Sequence, residues 1–135
     1  MSYGIEEIEG IGPSYAEKLL KAEIKTTKDL LKLCCDKSGR GKIAGVTSVS
    51  EKNLLKWANL ADLMRISGIG PQYSELLEAA GVDTVKELRH RNAENLETKM
   101  AEVNAEKKLT RQVPKAKEIE RWISTDKETE PTITH

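Results

Sequence analysis

Apolar residues recur at helical spacing along most of the 135-residue chain, and no segment alternates apolar and polar with a period of two. Ile5 and Ile8 make a short apolar stripe that ends in Gly10, Ile11 and Gly12. Pro13 follows, suited to the first position of a helix, and Ala16, Leu19 and Leu20 then share one face. Thr26 can cap a helix reaching about Cys35. Residues 36–41 read as a polar, glycine-bearing connection, and a short helix is expected around 41–45. Ser48 or Ser50 caps the next helix, through Leu60, with Leu54, Leu55 and Ala58 on its inner side. That helix runs into a second turn at Gly68, Ile69 and Gly70. Thr84 caps a helix to about Arg91, and Asn92 caps another that carries Leu96, Met100 and Val103 in register. Val113 and Pro114 open the last helix, with Ile119, Trp122 and Ile123 inward. The pattern predicts an all-α fold without a sheet: one compact domain over residues 1–124, and a flexible C-terminal tail over the polar residues 125–135.

The two turns belong to an internal repeat. Residues 8–30 align without a gap on residues 66–88, an offset of 58, and 12 of the 23 pairs are identical. The units extend over about residues 4–35 and 62–91. In each, two glycines bracket a buried-type isoleucine (Ile11, Ile69), which would pin the turn to the core. Residues 42–60 also read helix, short turn, helix, either as a helix-turn-helix or as a degenerate copy without the double glycine; the latter is preferred, because its second helix offers no base-reading face.

Each full copy resembles the helix-hairpin-helix motif. The match runs through Ile5, Ile8, Gly10, Ile11, Gly12, Ala16 and Leu19, and again through Leu63, Ile66, Gly68, Ile69, Gly70 and Leu77, with Ser74 in place of the small alanine. The resemblance implies a SAM-like tandem arrangement. It also implies that hairpin amides and the N-terminus of the following helix grip a DNA phosphate, since a helix start offers unpaired N–H donors and a partial positive charge. Carried onto this chain, the donors are the N–H groups of Gly12, Ser14 and Tyr15, and of Gly70, Gln72 and Tyr73. Contacts of this kind position a protein on duplex DNA without reading its sequence. Hairpins of that family can also hold a monovalent cation on their carbonyls; no other cofactor is implied. Over about residues 3–124 the chain further resembles a bacterial domain-of-unknown-function family, number 4332. That resemblance rests on the stretches 60–66, 76–85 and 100–104, and brings no established activity.

Charge changes this picture. Lys and Arg number 22, as do Asp and Glu, so the net charge is zero, where a dedicated nucleic-acid binder is normally basic or has a basic face. The positions after each hairpin hold Ser14 and Gln72 rather than cations. Glu17 and Glu75 occupy one repeat position near each helix start, where a carboxylate opposes an incoming phosphate. Glu6, Glu7 and Glu9 make the first approach acidic; Arg65 and Ser67 make the second the better phosphate site. The best electrostatic footprint is the acid-free run of Lys107, Lys108, Arg111, Lys115 and Lys117. A solvated loop and helix start accounts for the same run.

The remaining chemistry is sparse. Trp57 and Trp122 sit in helical apolar patterns and read as core anchors rather than stacking platforms. The repeat-equivalent Tyr15 and Tyr73 either pack on their hairpins or reach a phosphate through the hydroxyl. Cys34 and Cys35 are adjacent and are the only cysteines, which excludes a disulfide framework and fits a reducing cytoplasm; one of them is expected in the core. No cysteine–histidine cluster suggests a metal, and no nucleophile–base pair can be assembled from His90 and His135, so no catalytic residue is expected. No apolar run is long enough to span a membrane. Two functions remain: a sequence-independent DNA-binding module, or a protein-interaction module whose hairpins are purely architectural. A monomer is expected in either case.

Overall fold

The computed structural model describes residues 3–130 and 132–134, and the described residues contain eight α-helices and no strand; an isolated bridge pairs Gly4 with Thr26. The helices are α1 (Pro13–Leu20), α2 (Thr27–Cys34), α3 (Lys37–Thr47), α4 (Glu51–Leu63), α5 (Pro71–Ala79), α6 (Val85–Arg89), α7 (Ala93–Lys107) and α8 (Ala116–Lys127). The fold is all-α, as the periodicity requires.

Most helix starts follow from short polar side chains. Thr26, Asp36, Ser50, Thr84 and Asn92 each accept a hydrogen bond from the N–H three residues on, and so begin α2, α3, α4, α6 and α7. In α2 the cap is reciprocal, because Asp29 returns a bond to the Thr26 N–H. Asp36 explains one departure from the sequence reading. Its carboxylate takes the Gly39 N–H at 2.6 Å, so the stretch read as a polar connection is already the first turn of α3. The last helix starts later than its proline suggested. Pro114 is buried ahead of the helix, Lys115 is the cap position, and the Glu97 carboxylate takes the Ala116 N–H at 2.9 Å.

The duplication runs deeper than the sequence identity, which fades after Leu88. The order glycine-started helix, threonine-capped helix, Asp- or Asn-capped helix, fourth helix occurs twice, as α1–α4 and as α5–α8. Two apolar clusters match the two halves. The first gathers Leu19, Leu30, Cys34, Leu54 and Trp57; the second gathers Leu76, Leu77, Leu88, Met100 and Trp122. Helix α4 serves both, since Leu60 and Ala61 face the first cluster and Leu63 the second. The copies differ at their entrances. Where α4 leads into the second turn, only the 3-10 turn Ile5–Glu7 leads into the first.

The residues expected as a flexible tail are tied down. Residues 125–127 complete α8, and beyond it Ile133 is 6% exposed within the first cluster. Three arginines donate to main-chain carbonyls of this segment: Arg89 to Thr129, Arg65 to Glu130 and Arg40 to Thr134. The lone apolar residue in a polar stretch supplies the anchor, and the guanidinium groups satisfy its backbone. Pro131 and His135 lie outside the described residues. Among the described residues no helix is long and apolar enough to cross a membrane.

Candidate functional site

Both glycine turns are built alike. The Ile11 N–H donates to the Ile8 carbonyl at 3.1 Å, and the Ile69 N–H to the Ile66 carbonyl at 3.0 Å. The third residue of each turn is the first glycine of its pair, Gly10 at φ +94° and Gly68 at φ +95°. This is left-handed backbone that a side chain would strain, so glycine is required there. The second glycine of each pair is different: Gly12 and Gly70 lie in the extended region at φ −88° and −96°. Ile11 and Ile69 are buried, 3% and 1% exposed, and pin each turn to its cluster. Gly10, Gly12 and Gly68 stay exposed above them, and Gly70 is half-buried.

Gly12 and Gly70 are the N-caps of α1 and α5, with Pro13 and Pro71 at the first helical position. Every other α-helix has a side chain on its first amides: five use their own cap residue, and α8 uses Glu97. Helices α1 and α5 have none. Within each, the first amide engaged is the fourth residue after the glycine, with Ala16 donating to Gly12 O and Ser74 to Gly70 O, both at 2.9 Å. Among the described residues no protein group accepts from the N–H of Gly12, Ser14 or Tyr15, nor from that of Gly70, Gln72 or Tyr73.

A tryptophan backs each turn. The Trp57 indole of α4 lies behind Gly10 and meets Tyr15 edge-on, with ring centres 5.0 Å apart; the Trp122 indole of α8 lies behind Gly68, 5.3 Å from Tyr73. Both indoles are buried, in keeping with core anchors. The two tryptophans are 65 residues apart and so fall outside the 58-residue register. Their order in the chain (one on each fourth helix) is the signal that would have linked them to the turns.

The surroundings of the two turns differ. At the first, Gly12, Pro13 and Ser14 are open to solvent, Lys18 Nζ sits 5.5 Å above the Tyr15 ring, and Asn53 Nδ2 is 3.5 Å from the Tyr15 hydroxyl. Beside α1 a shallow, mostly apolar groove of about 450 Å³ is bordered by the half-exposed Leu20, with Glu6, Glu17 and Lys25 as its charged groups. At the second, the start of α5 opens into a larger groove of about 950 Å³, and Glu7, Glu9 and Glu75 line it with Arg111. Burial raises the Glu75 carboxyl above its ordinary value, and the nearby charges of Glu9 and Glu78 push it further, against Lys56 and Lys107. Burial also raises the Tyr73 hydroxyl, with a smaller push from Glu118.

Arg65, expected to make the second turn the better phosphate site, is engaged elsewhere. Its Nε is 2.6 Å from Asp62 Oδ1, and its Nη2 donates to Glu130 O at 2.7 Å. The basic run divides. Arg111 enters the second groove, Lys107 lies with Lys56 among Glu9, Glu75 and Glu78, and Lys108 is exposed at the left-handed end of α7. Sequence reasoning assigned Glu7 and Glu9 to the approach of the first turn; the fold also turns them toward the second. No spacing rule could have found that, because it depends on how the halves pack.

Cys34 is buried in the first cluster, where the apolar surroundings push its thiol up to about 11, and Cys35 is half-buried. His90 is exposed at the end of α6. Among the described residues no group of three or more histidines, cysteines or carboxylates is placed to hold a metal ion.

A family model described as a domain of unknown function (DUF4332) matches residues 9–129. No curated protein and no solved structure matches the chain.

Proposed function

The chain belongs to the DUF4332 family, and we propose that it is a sequence-independent DNA-binding module that docks backbone phosphate on the first of its glycine turns. The observation that carries this reading is the contrast in capping. In a chain that covers its other helix starts with side chains, α1 and α5 alone leave theirs open. An anion at Gly12, Ser14 and Tyr15 would meet three free donors and the positive end of the α1 dipole. Lys18, above the Tyr15 ring, adds a cation nearby. The first turn is preferred over the second because Gly12, Pro13 and Ser14 are open to solvent and Lys18 and Lys25 offset Glu6 and Glu17 beside α1, whereas three carboxylates face one Arg111 at the second and Arg65 is spent on Asp62.

Titrating labelled duplex DNA at rising salt tests this reading. One or two phosphate contacts release few counterions, so affinity should fall about tenfold between about 50 and 200 mM salt, irrespective of sequence. Absence of binding at low salt, or binding insensitive to salt, would remove the proposal. A second reading, a protein-interaction module, is favoured by one specific observation: the acidic lining of the second groove.

A further inference from the structure

The second groove, of about 950 Å³, carries more negative charge than the groove beside α1. Carboxylates reach it from three places: Glu7 at the end of the 3-10 turn, Glu9 in the first glycine turn and Glu75 on α5, against one guanidinium, Arg111. The nearest compensating lysine pair, Lys56 and Lys107, lies to one side and is shared with Glu78, which is 3.5 Å from Lys56. Burial first, and then the charges of Glu9 and Glu78, hold the Glu75 carboxyl above its ordinary value. One wall is not acidic. The Gln72 and Tyr73 amides have no protein acceptor, and the Tyr73 ring and Pro71 give that wall apolar surface.

From this arrangement we propose that the second groove docks an extended, lysine- and arginine-bearing segment of a partner protein. Its main-chain carbonyls would accept from the Gln72 and Tyr73 amides, and its cationic side chains would lie among Glu7, Glu9 and Glu75, with a guanidinium free to stack on Tyr73. The volume of about 950 Å³ suits several residues of extended chain rather than a single side chain. A phosphate backbone is the occupant this lining repels. The segment would therefore occupy the face that the DNA reading leaves vacant, and the two proposals stand independently.

The test uses the full chain and a short fluorescent peptide alternating Lys or Arg with Gly or Ser, with an acidic peptide of equal length as control. The basic peptide should bind and the acidic one should not. Glu9→Gln combined with Glu75→Gln should weaken the basic peptide about tenfold, and Arg111→Ala should tighten it, because charge pairs at an interface govern affinity in this range. Glu94→Gln with Glu102→Gln, exposed on α7 outside the groove, should change nothing. Gly12→Asp, aimed at the DNA reading, should leave peptide affinity unchanged. Unaltered binding in the Glu9/Glu75 double variant, with native circular dichroism, would overturn the proposal. So would equal losses from the α7 variants, or duplex DNA occupying the groove in a manner abolished by Arg111→Ala.

Discussion

The first and second glycine turns share their backbone to within a degree at the left-handed glycine, yet they present different chemistry to solvent. At the first, the uncapped helix start faces water with Lys18 close by. At the second, the same start sits in a groove with three carboxylates. Local sequence built the turn twice; the packing of one half against the other decided what each copy faces. A motif fixes which atoms are offered, and the neighbours that the fold brings in fix what those atoms can bind.

The turns also differ behind their glycines, and the largest expected effect probes that difference. A Cβ on Gly68 would lie 2.8 Å from Trp122 Nε1, but on Gly10 it would clear Trp57 Nε1 at 3.4 Å. Gly10→Ala should cost about 1–2 kcal/mol for its positive φ alone, and Gly68→Ala about 2–4 kcal/mol once overpacking is added. Urea denaturation of the two variants checks the order, and equal losses would mean that the indole of α8 moves aside freely. Next in size, Ile133→Ala should cost about 2–3 kcal/mol, because the side chain fills part of the first cluster. A neutral result would show that the C-terminal segment is not anchored and that the first half closes without it.

Smaller effects should appear with pH. Burial raises the carboxyls of Asp62 and Asp126, with Arg65 and Arg89 respectively pulling the other way. Their folded-state values lie above the unfolded ones, so the folded chain holds these protons more tightly. The stability they contribute is complete below the unfolded carboxylate value of about 4 and is lost as pH rises through the raised folded values. Asp29 runs the other way. Backbone N–H donors, chiefly that of Lys25, lower its value, so its contribution is present above the unfolded value and lost on acidification through the folded one. Asp126→Asn keeps an acceptor for Arg89 and should flatten the decline above the unfolded value, as read from urea midpoints on either side of it. An unchanged slope would place the pH response elsewhere.

Much of this fold was legible in the sequence because its signals are local. The paired glycines, the proline after each pair and the caps at Thr26, Ser50, Thr84 and Asn92 act within a turn of their own position. Asp36 was misread because a glycine-bearing stretch resembles a loop until its capping bond is seen. Tertiary placement was not legible. Arg65 immediately precedes the second turn in sequence but is taken by Asp62 and the Glu130 carbonyl. Arg40, within the stretch that reads as a polar connection, is buried against the carbonyls of Cys34 and Thr134. Ile133 gives no periodic signal, because a lone apolar residue has no neighbours to set a period. Of the candidate site, the amide donors were visible in the repeat, whereas the acids across the second groove came only with the packing of the halves.

The most direct measurement places an aspartate at each uncapped helix start and compares duplex DNA affinity at low salt. A Cβ at Gly12 meets nothing within 4 Å and at Gly70 comes no closer than 3.7 Å to Tyr3 Oη, and both backbones already suit a cap residue. The new carboxylate would occupy the open amides, exclude phosphate and raise stability by a few tenths of a kcal/mol. Gly12→Asp should lower DNA affinity about tenfold or more, the loss of a charge-assisted contact together with added repulsion, and Gly70→Asp should change it little. Wild-type affinity in a folded Gly12→Asp variant would contradict phosphate docking at the first turn.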